Sequence, residues 1–166
     1  MSPKLRKVGA YLWELFKVVA ISLAIVLPIR YFLIQPFYVK GASMEPNFHD
    51  YEYLIIDELS YRFRLPEPGE VVVMRDPLEH SKFFIKRIIG TPGDTILIED
   101  GSVYINGNKL EELAYLAADV KTTASVGYDE VTLTDNQYYV MGDNRPASFD
   151  SRRFGPVDQS ELVGRV

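Results

Sequence analysis

The chain has 166 residues, 47% of them hydrophobic and 13% aromatic, with a formal charge of -5. That length suits one domain with a modest core plus one additional element, and the mean hydropathy of -0.05 excludes a protein of many membrane spans. Cysteine is absent and His49 and His80 are the only histidines, which excludes disulfides, cysteine nucleophiles, cysteine-ligated zinc and a histidine-rich metal site. The charge is unevenly spread: residues 1–40 hold six Lys/Arg against one Glu, residues 41–166 hold 12 against 22. An acidic body argues against nucleic acid as a partner, and the basic end points to a membrane.

Lys4, Arg6 and Lys7 precede a largely apolar stretch from Tyr11 to Ile34. Its uncharged centre, Val18 to Ile29, is shorter than the ~17–25 residues of a membrane span. Lys17 and Arg30 can snorkel to opposite interfaces and extend the span to Trp13–Tyr31, where Trp13, Tyr31 and Phe32 become interfacial aromatics. A cleavable signal peptide would need a small-x-small site after the apolar run, but no small residue occurs between Arg30 and Gly41. An uncleaved signal-anchor is therefore favoured over a signal peptide or a buried core helix. The basic flank places residues 1–10 in the cytoplasm, residues 11–34 in the membrane and residues 35–166 outside.

Gln35-Pro36 closes the helical pattern. Beyond it, short apolar runs alternate with turn signals. The runs Tyr53–Asp57, Glu70–Met74, Phe83–Ile89, Thr95–Glu99, Ser102–Ile105 and Gln137–Met141 read as strands. Asp100-Gly101 is a two-residue hairpin signal, and Pro68-Gly69, Pro92-Gly93-Asp94 and Asn106-Gly107 mark further turns. Only Leu110–Ala118 reads as helix in the body, and Ala118–Asp129 as a polar surface insertion. The fold class expected is mainly β: a transmembrane helix followed by a body of coiled antiparallel sheets.

Three segments could carry chemistry. Ser43 lies between small residues in Gly41-Ala-Ser-Met-Glu-Pro46, and a serine hydroxyl is inert without a base. His49 and His80 sit in polar loops without a nearby carboxylate in a strand to orient them, and read as solvated. Lys86 stands inside the apolar strand Phe-Phe-Ile-Lys-Arg-Ile-Ile, where alternation puts it on one face with Phe84 and Ile88, opposite Ile85 and Arg87. Burial there lowers a lysine pKa, although a snorkelling edge lysine is the plainer reading of that segment alone. The third segment, Met141 to Gly155, is dense in polar groups after an apolar strand, as suits a loop held by ion pairs.

In this order, after an N-terminal anchor, GASMEP, PGEVVVM, FFIKRIIGTPGD and MGDNRPASFDSRRFG resemble the bacterial type I signal peptidases over nearly the whole chain. The resemblance implies a membrane-bound serine endopeptidase that removes signal peptides from secreted preproteins after Ala-x-Ala type sites. It needs no cofactor or metal, acts at the phospholipid bilayer and is expected to be a monomer. Carried over by position, Ser43 is the nucleophile, Lys86 the general base and Ser148 the hydroxyl that orients the amine. Asp150 with Arg152, and Asp143 with Arg87, become structural pairs. Met44, Phe84 and Ile85 become walls of the pockets for small substrate side chains.

Departures from the family pattern fall around the site: Gly41 replaces an oxyanion-binding serine of some members, leaving the Ser43 N–H as donor. Lys40 stands for a frequent proline, Asn47 for threonine, Tyr51 for a turn glycine and Pro146 for an acidic residue. The chain stops at Gly164-Arg165-Val166, where relatives continue through another strand, so an incomplete C-terminus is expected. A non-catalytic tethered β-domain is the rival reading. A soluble Ser–Lys autoprotease is rejected, because residues 1–40 carry no helix-turn-helix pattern.

Overall fold

The computed structural model describes residues 3–32, 35–125, 127 and 129–166. In chain order the elements are α1 (Pro3–Phe32), β1 (Gln35–Tyr38), β2 (Tyr53–Ile56), β3 (Val71–Arg75), β4 (Phe83–Gly90), β5 (Thr95–Glu99) and β6 (Ser102–Ile105). They continue with β7 (Asn108–Lys109), β8 (Glu130–Thr132), β9 (Gln137–Met141), α2 (Ser151–Phe154), β10 (Val157–Asp158) and β11 (Leu162–Arg165). At ~1.5 Å per residue, the 30 residues of α1 reach about 45 Å, more than a bilayer's hydrocarbon core. Its segment Lys7–Pro28 has a mean hydropathy of 1.9 and is not buried against the body. Lys17 pairs with Glu14 at 2.7 Å. Leu33 and Ile34, the expected end of the anchor, lie outside the described residues, as do the side chains of Arg30, Tyr31 and Phe32.

The strands form three antiparallel sheets, with orders β1-β2, β10-β9-β4-β3-β11 and β7-β6-β5-β8. The five-stranded sheet is the middle layer, which explains why β3 and β9 are apolar at nearly every position instead of alternating. Val72, Met74, Ile88, Tyr138 and Val140 pack on one of its faces with Phe84 and Phe154. On the other face, Ile89, Tyr139 and Met141 meet the four-stranded sheet, while Val73 meets Val39, Leu54 and Ile56 of the β1-β2 ribbon. The β5-β6 hairpin turns at Asp100 (φ 51°) and Gly101 (φ 78°), two successive left-handed residues as a type I′ turn requires.

Two expectations for the body are corrected. Leu110–Ala118 is not a helix: it makes a single i→i+4 backbone bond, Leu116 N–H to Glu112 O. So short a segment is marginal as a helix, and here its polar groups serve the next layer instead: the Glu112 carboxylate accepts from Arg145 and the Tyr115 carbonyl from Asn47. Nor is Ala118–Asp129 merely a surface insertion. Thr122 is buried, donates its N–H to Gly101 O and accepts from Arg145. Val126 and Tyr128 lie outside the described residues. The short strands β1, β7, β8, β10 and β11 were not among the apolar runs, being two to four residues long.

Candidate active site

Ser43 sits in the loop between β1 and β2, which runs across the start of β4. The Lys86 Nζ donates to Ser43 Oγ at 2.8 Å and to Ile85 O at 3.0 Å. Alternation along β4 puts Lys86 on the same face as Phe84 and Ile88, and the amine lies 5.2 Å from the centre of the Phe84 ring. The lysine is 2% exposed and, among the described residues, has no carboxylate within ion-pair distance. Desolvation therefore dominates; Asp150 and Asp143 oppose it from a distance, Arg152 adds to it, and together they bring the pKa down to about 8.

A cleft of about 90 Å³ opens beside the pair, lined by Phe37, Val39, Phe84, Ile85, Ser43 and Lys86 among others. Phe37 and Phe83 meet edge to face across its wall, 5.3 Å apart. Phe84 and Ile85 are among its lining residues. Met44 is not: it is fully buried, because the loop turns back after Ser43 through Asn47 N–H and Phe48 N–H bonds to Met44 O.

The Met141–Gly155 segment surrounds the loop from behind. Asp150 is fully buried; its carboxylate takes Arg152 Nε and Nη2, both at 2.8 Å, and Gly142 N–H at 2.9 Å. Burial alone would raise its pKa, but these bonds outweigh burial and hold it below the usual carboxylate value. Arg87, on the face of β4 opposite Lys86, donates to both Asp143 oxygens, at 2.8 and 2.7 Å, and stacks over Tyr115 with its centre 4.2 Å from the ring. Ser148 is buried, and among the described residues its Oγ makes no hydrogen bond to Lys86 or to any other group, although it sits close enough to Asp150 to favour the ionised carboxylate.

Gly142 explains how the parts approach so closely. A Cβ there would lie 2.3 Å from Ser148 Oγ and 2.4 Å from the Ser43 carbonyl, so only glycine lets the nucleophile's backbone cross the strand end. Each histidine does meet a carboxylate, His49 with Glu52 at 3.2 Å and His80 with Glu161 at 3.4 Å, but both rings are largely exposed and neither bonds to Ser43.

Three functional contacts went unread in the sequence. Asn144 bonds the backbone of Ala42 and Ser43, Asn47 joins Asp143 at 2.9 Å, and Arg145, buried at 2% exposure, ties Gly142 O to Glu112 and Thr122. Tyr51, standing for a turn glycine, adopts a left-handed φ of 66°. Asn144 and Asn47 reach partners 102 and 96 residues away, and Arg145 reaches Thr122 and Glu112 23 and 33 residues away, groups that no local pattern identifies. The density of polar residues in Asp143-Asn-Arg145 was the available signal.

The family model for signal peptidase, peptidase S26, matches residues 12–166. The chain is 41% identical over 158 residues to a probable signal peptidase I-2 of Synechocystis, covering 92% of this chain and 70% of that one. It is 36% identical over 163 residues to signal peptidase I V of Bacillus subtilis, with 93% and 95% covered. Among solved structures, a signal peptidase I of Enterococcus faecalis superposes with a TM-score of 0.52 at 30% identity, over 62% of this chain and 97% of the other.

Proposed function

Since the chain belongs to the signal peptidase (peptidase S26) family, and so removes signal peptides from preproteins as a serine peptidase, we propose that Ser43 is its nucleophile and Lys86 its general base. The observation that carries this reading is the 2.8 Å contact between Lys86 Nζ and Ser43 Oγ, made by an amine that is 2% exposed. Once the amine is neutral, that hydrogen bond reverses and the nitrogen lone pair accepts the serine proton. Oγ then attacks the scissile carbonyl, Lys86 returns the proton to the leaving amine, and the acyl-enzyme forms. Water, deprotonated by the same lysine, hydrolyses it. The Ser43 N–H stabilises the oxyanion.

Phe84 and Ile85 restrict the cleft to small substrate residues at the first and third positions before the cut. Overfilling a packed site costs ~1–3 kcal/mol, about tenfold to a hundredfold in rate. Ser148, buried with an unpartnered Oγ, is the hydroxyl assigned to orient the amine, and the Asp150–Arg152 and Arg87–Asp143 pairs hold the loops. The division into residues 1–10, 11–34 and 35–166 gives a cytoplasmic end, a single anchor and an external catalytic body, supported by the Lys/Arg bias and the apolar α1.

Two experiments test the reading. Detergent-solubilised protein should cleave a preprotein while Ser43→Ala does not; equal cleavage by both sinks the dyad. External protease added to intact spheroplasts should degrade the body, and full protection rules out the orientation.

A further inference from the structure

The oxyanion donor of this site is held by a single side chain outside the dyad. Gly41 offers no hydroxyl, and its N–H is already donated to Asp50 Oδ1 at 2.9 Å. The Ser43 N–H, by contrast, makes no hydrogen bond among the described residues, leaving it available to a developing negative charge. Its direction is set by the peptide it belongs to. A trans peptide is planar, and its C=O and N–H point opposite ways, so whatever grips the Ala42 carbonyl also aims the Ser43 N–H.

Asn144 supplies that grip. Its Nδ2 donates to Ala42 O at 2.9 Å, and its own backbone N–H donates to Ser43 O at 3.0 Å. The two peptides flanking the nucleophile's α-carbon are thereby fixed from one residue. Asn144 is itself anchored, since Asp143 before it is clamped by Arg87 and Asn47, and Arg145 after it by Glu112. A hydrogen bond accepted by the Ala42 carbonyl also polarises the peptide and makes its N–H a stronger donor. The Met141–Gly155 segment contributes nothing to the lining of the cleft that Ser43 borders, so an N–H aimed away from Asn144 is aimed away from that segment and toward the substrate side.

Building on the Ser43–Lys86 reading, we infer that Asn144 is a positioning residue for the oxyanion: its side-chain amide aims and polarises the Ser43 N–H without touching substrate. Ala42 O also accepts Glu45 N–H at 3.2 Å within the loop's own turn, so losing Asn144 loosens the donor and does not abolish it.

The test is Asn144→Ala and the near-isosteric Asn144→Asp, which keeps the backbone bond and removes the amide donor. Each is assayed as solubilised full-length protein on an Ala-x-Ala peptide, with Ser43→Ala alongside. Direct loss of an oxyanion donor costs ~10²–10³ in kcat, and the indirect loss here is expected to cost about tenfold to a hundredfold. KM should stay within about twofold of wild type, and the acidic limb of the Asn144→Ala rate profile should not move. A substrate-derived peptide aldehyde, whose carbonyl adds Ser43 Oγ to give a tetrahedral oxygen, should bind more weakly by the same factor as kcat/KM. If the alanine variant does not fold, the aspartate variant decides. A folded variant with kcat within about twofold of wild type overturns the assignment. So does a kcat loss accompanied by an equal rise in KM and a shifted Asn144→Ala limb, the mark of a generally loosened site. If Ser43→Ala also cleaves, the dyad has failed; if it is inert while Asn144→Ala is fully active, only the Asn144 role has.

Discussion

Two adjacent residues of β4 carry the same formal charge and meet opposite fates. Lys86 faces Phe84 and Ile88 with no carboxylate in reach, and burial without a counter-ion brings its pKa to about 8. Arg87 faces the other way into a bidentate pair with Asp143, a carbonyl of Gly69 and the Tyr115 ring. One cation is left uncompensated and becomes a proton acceptor; the other is fully paired and becomes a strut. Both side chains are largely removed from water; burial without a partner lets an amine give up its proton, whereas a guanidinium stays charged and so needs its pairing. A strand delivers both fates one residue apart because successive side chains point to opposite faces.

The largest break of that contrast is to make the first residue resemble the second. Lys86→Arg places a permanently charged guanidinium beside Ser43, and turnover should fall by at least about 10⁴-fold, as when a member of a catalytic unit is lost. Turnover near wild type in a preprotein assay would show that no neutral amine is needed. On the opposite face, Asp143→Ala strands the Arg87 charge in a site where the carboxylate was 1% exposed. Unfolding in urea should then reveal a loss of about 3 kcal/mol or more. A loss below about 1 kcal/mol would make that pair an ordinary surface contact.

The two faces come together at Gly142. Its substitution by alanine drives a Cβ into the Ser43 carbonyl, which is backbone and cannot rotate aside. Displacing a nucleophile by ~1 Å costs about 10²-fold in rate, so Gly142→Ala should lose preprotein cleavage on that scale, and the overpacking should also cost ~1–3 kcal/mol of stability in urea. The smallest expected effect is a gain. Lys86 is neutral more readily in the folded protein than in the unfolded chain, where its pKa is 10.5. Between about pH 8 and 10.5 the unfolded state binds the extra proton, so folding stability rises with pH across that window. Below it the penalty for a buried charge is carried in full. Lys86→Met should therefore raise the melting temperature at pH 7, by the equivalent of about 1–3 kcal/mol, and by less at pH 10. An unchanged or lowered melting temperature at pH 7 would mean the amine is well solvated.

What the sequence disclosed follows from where each signal is local. A charge at the centre of Phe-Phe-Ile-Lys-Arg-Ile-Ile is anomalous within seven residues, and alternation alone separates Lys86 from Arg87. The central strands and the Asp100-Gly101 hairpin were legible for the same reason. Asn144 was not, because it grips backbone carbonyls about a hundred residues earlier, and carbonyls carry no sequence identity. Leu110–Ala118 was misread because its helical look rests on propensity, whereas Glu112 and Tyr115 are held by Arg145, Asn47 and Arg87 from other elements. Met44, which the resemblance assigns to a pocket wall, is completely buried by the turn after Ser43, a closure that no local pattern discloses.

The contrast on β4 stands or falls with the protonation of Lys86. The decisive measurement is the pH dependence of kcat/KM for the solubilised protein, which reports the free enzyme's essential base. Protonation removes the acceptor, so activity should be lost as pH falls through about 8 and recovered as it rises again. The same limb should persist in His49→Gln and His80→Gln. A limb near the ordinary histidine value of ~6.5 that disappears with either histidine, or activity that stays flat from pH 6 to 9, would contradict a burial-neutralised lysine as the base.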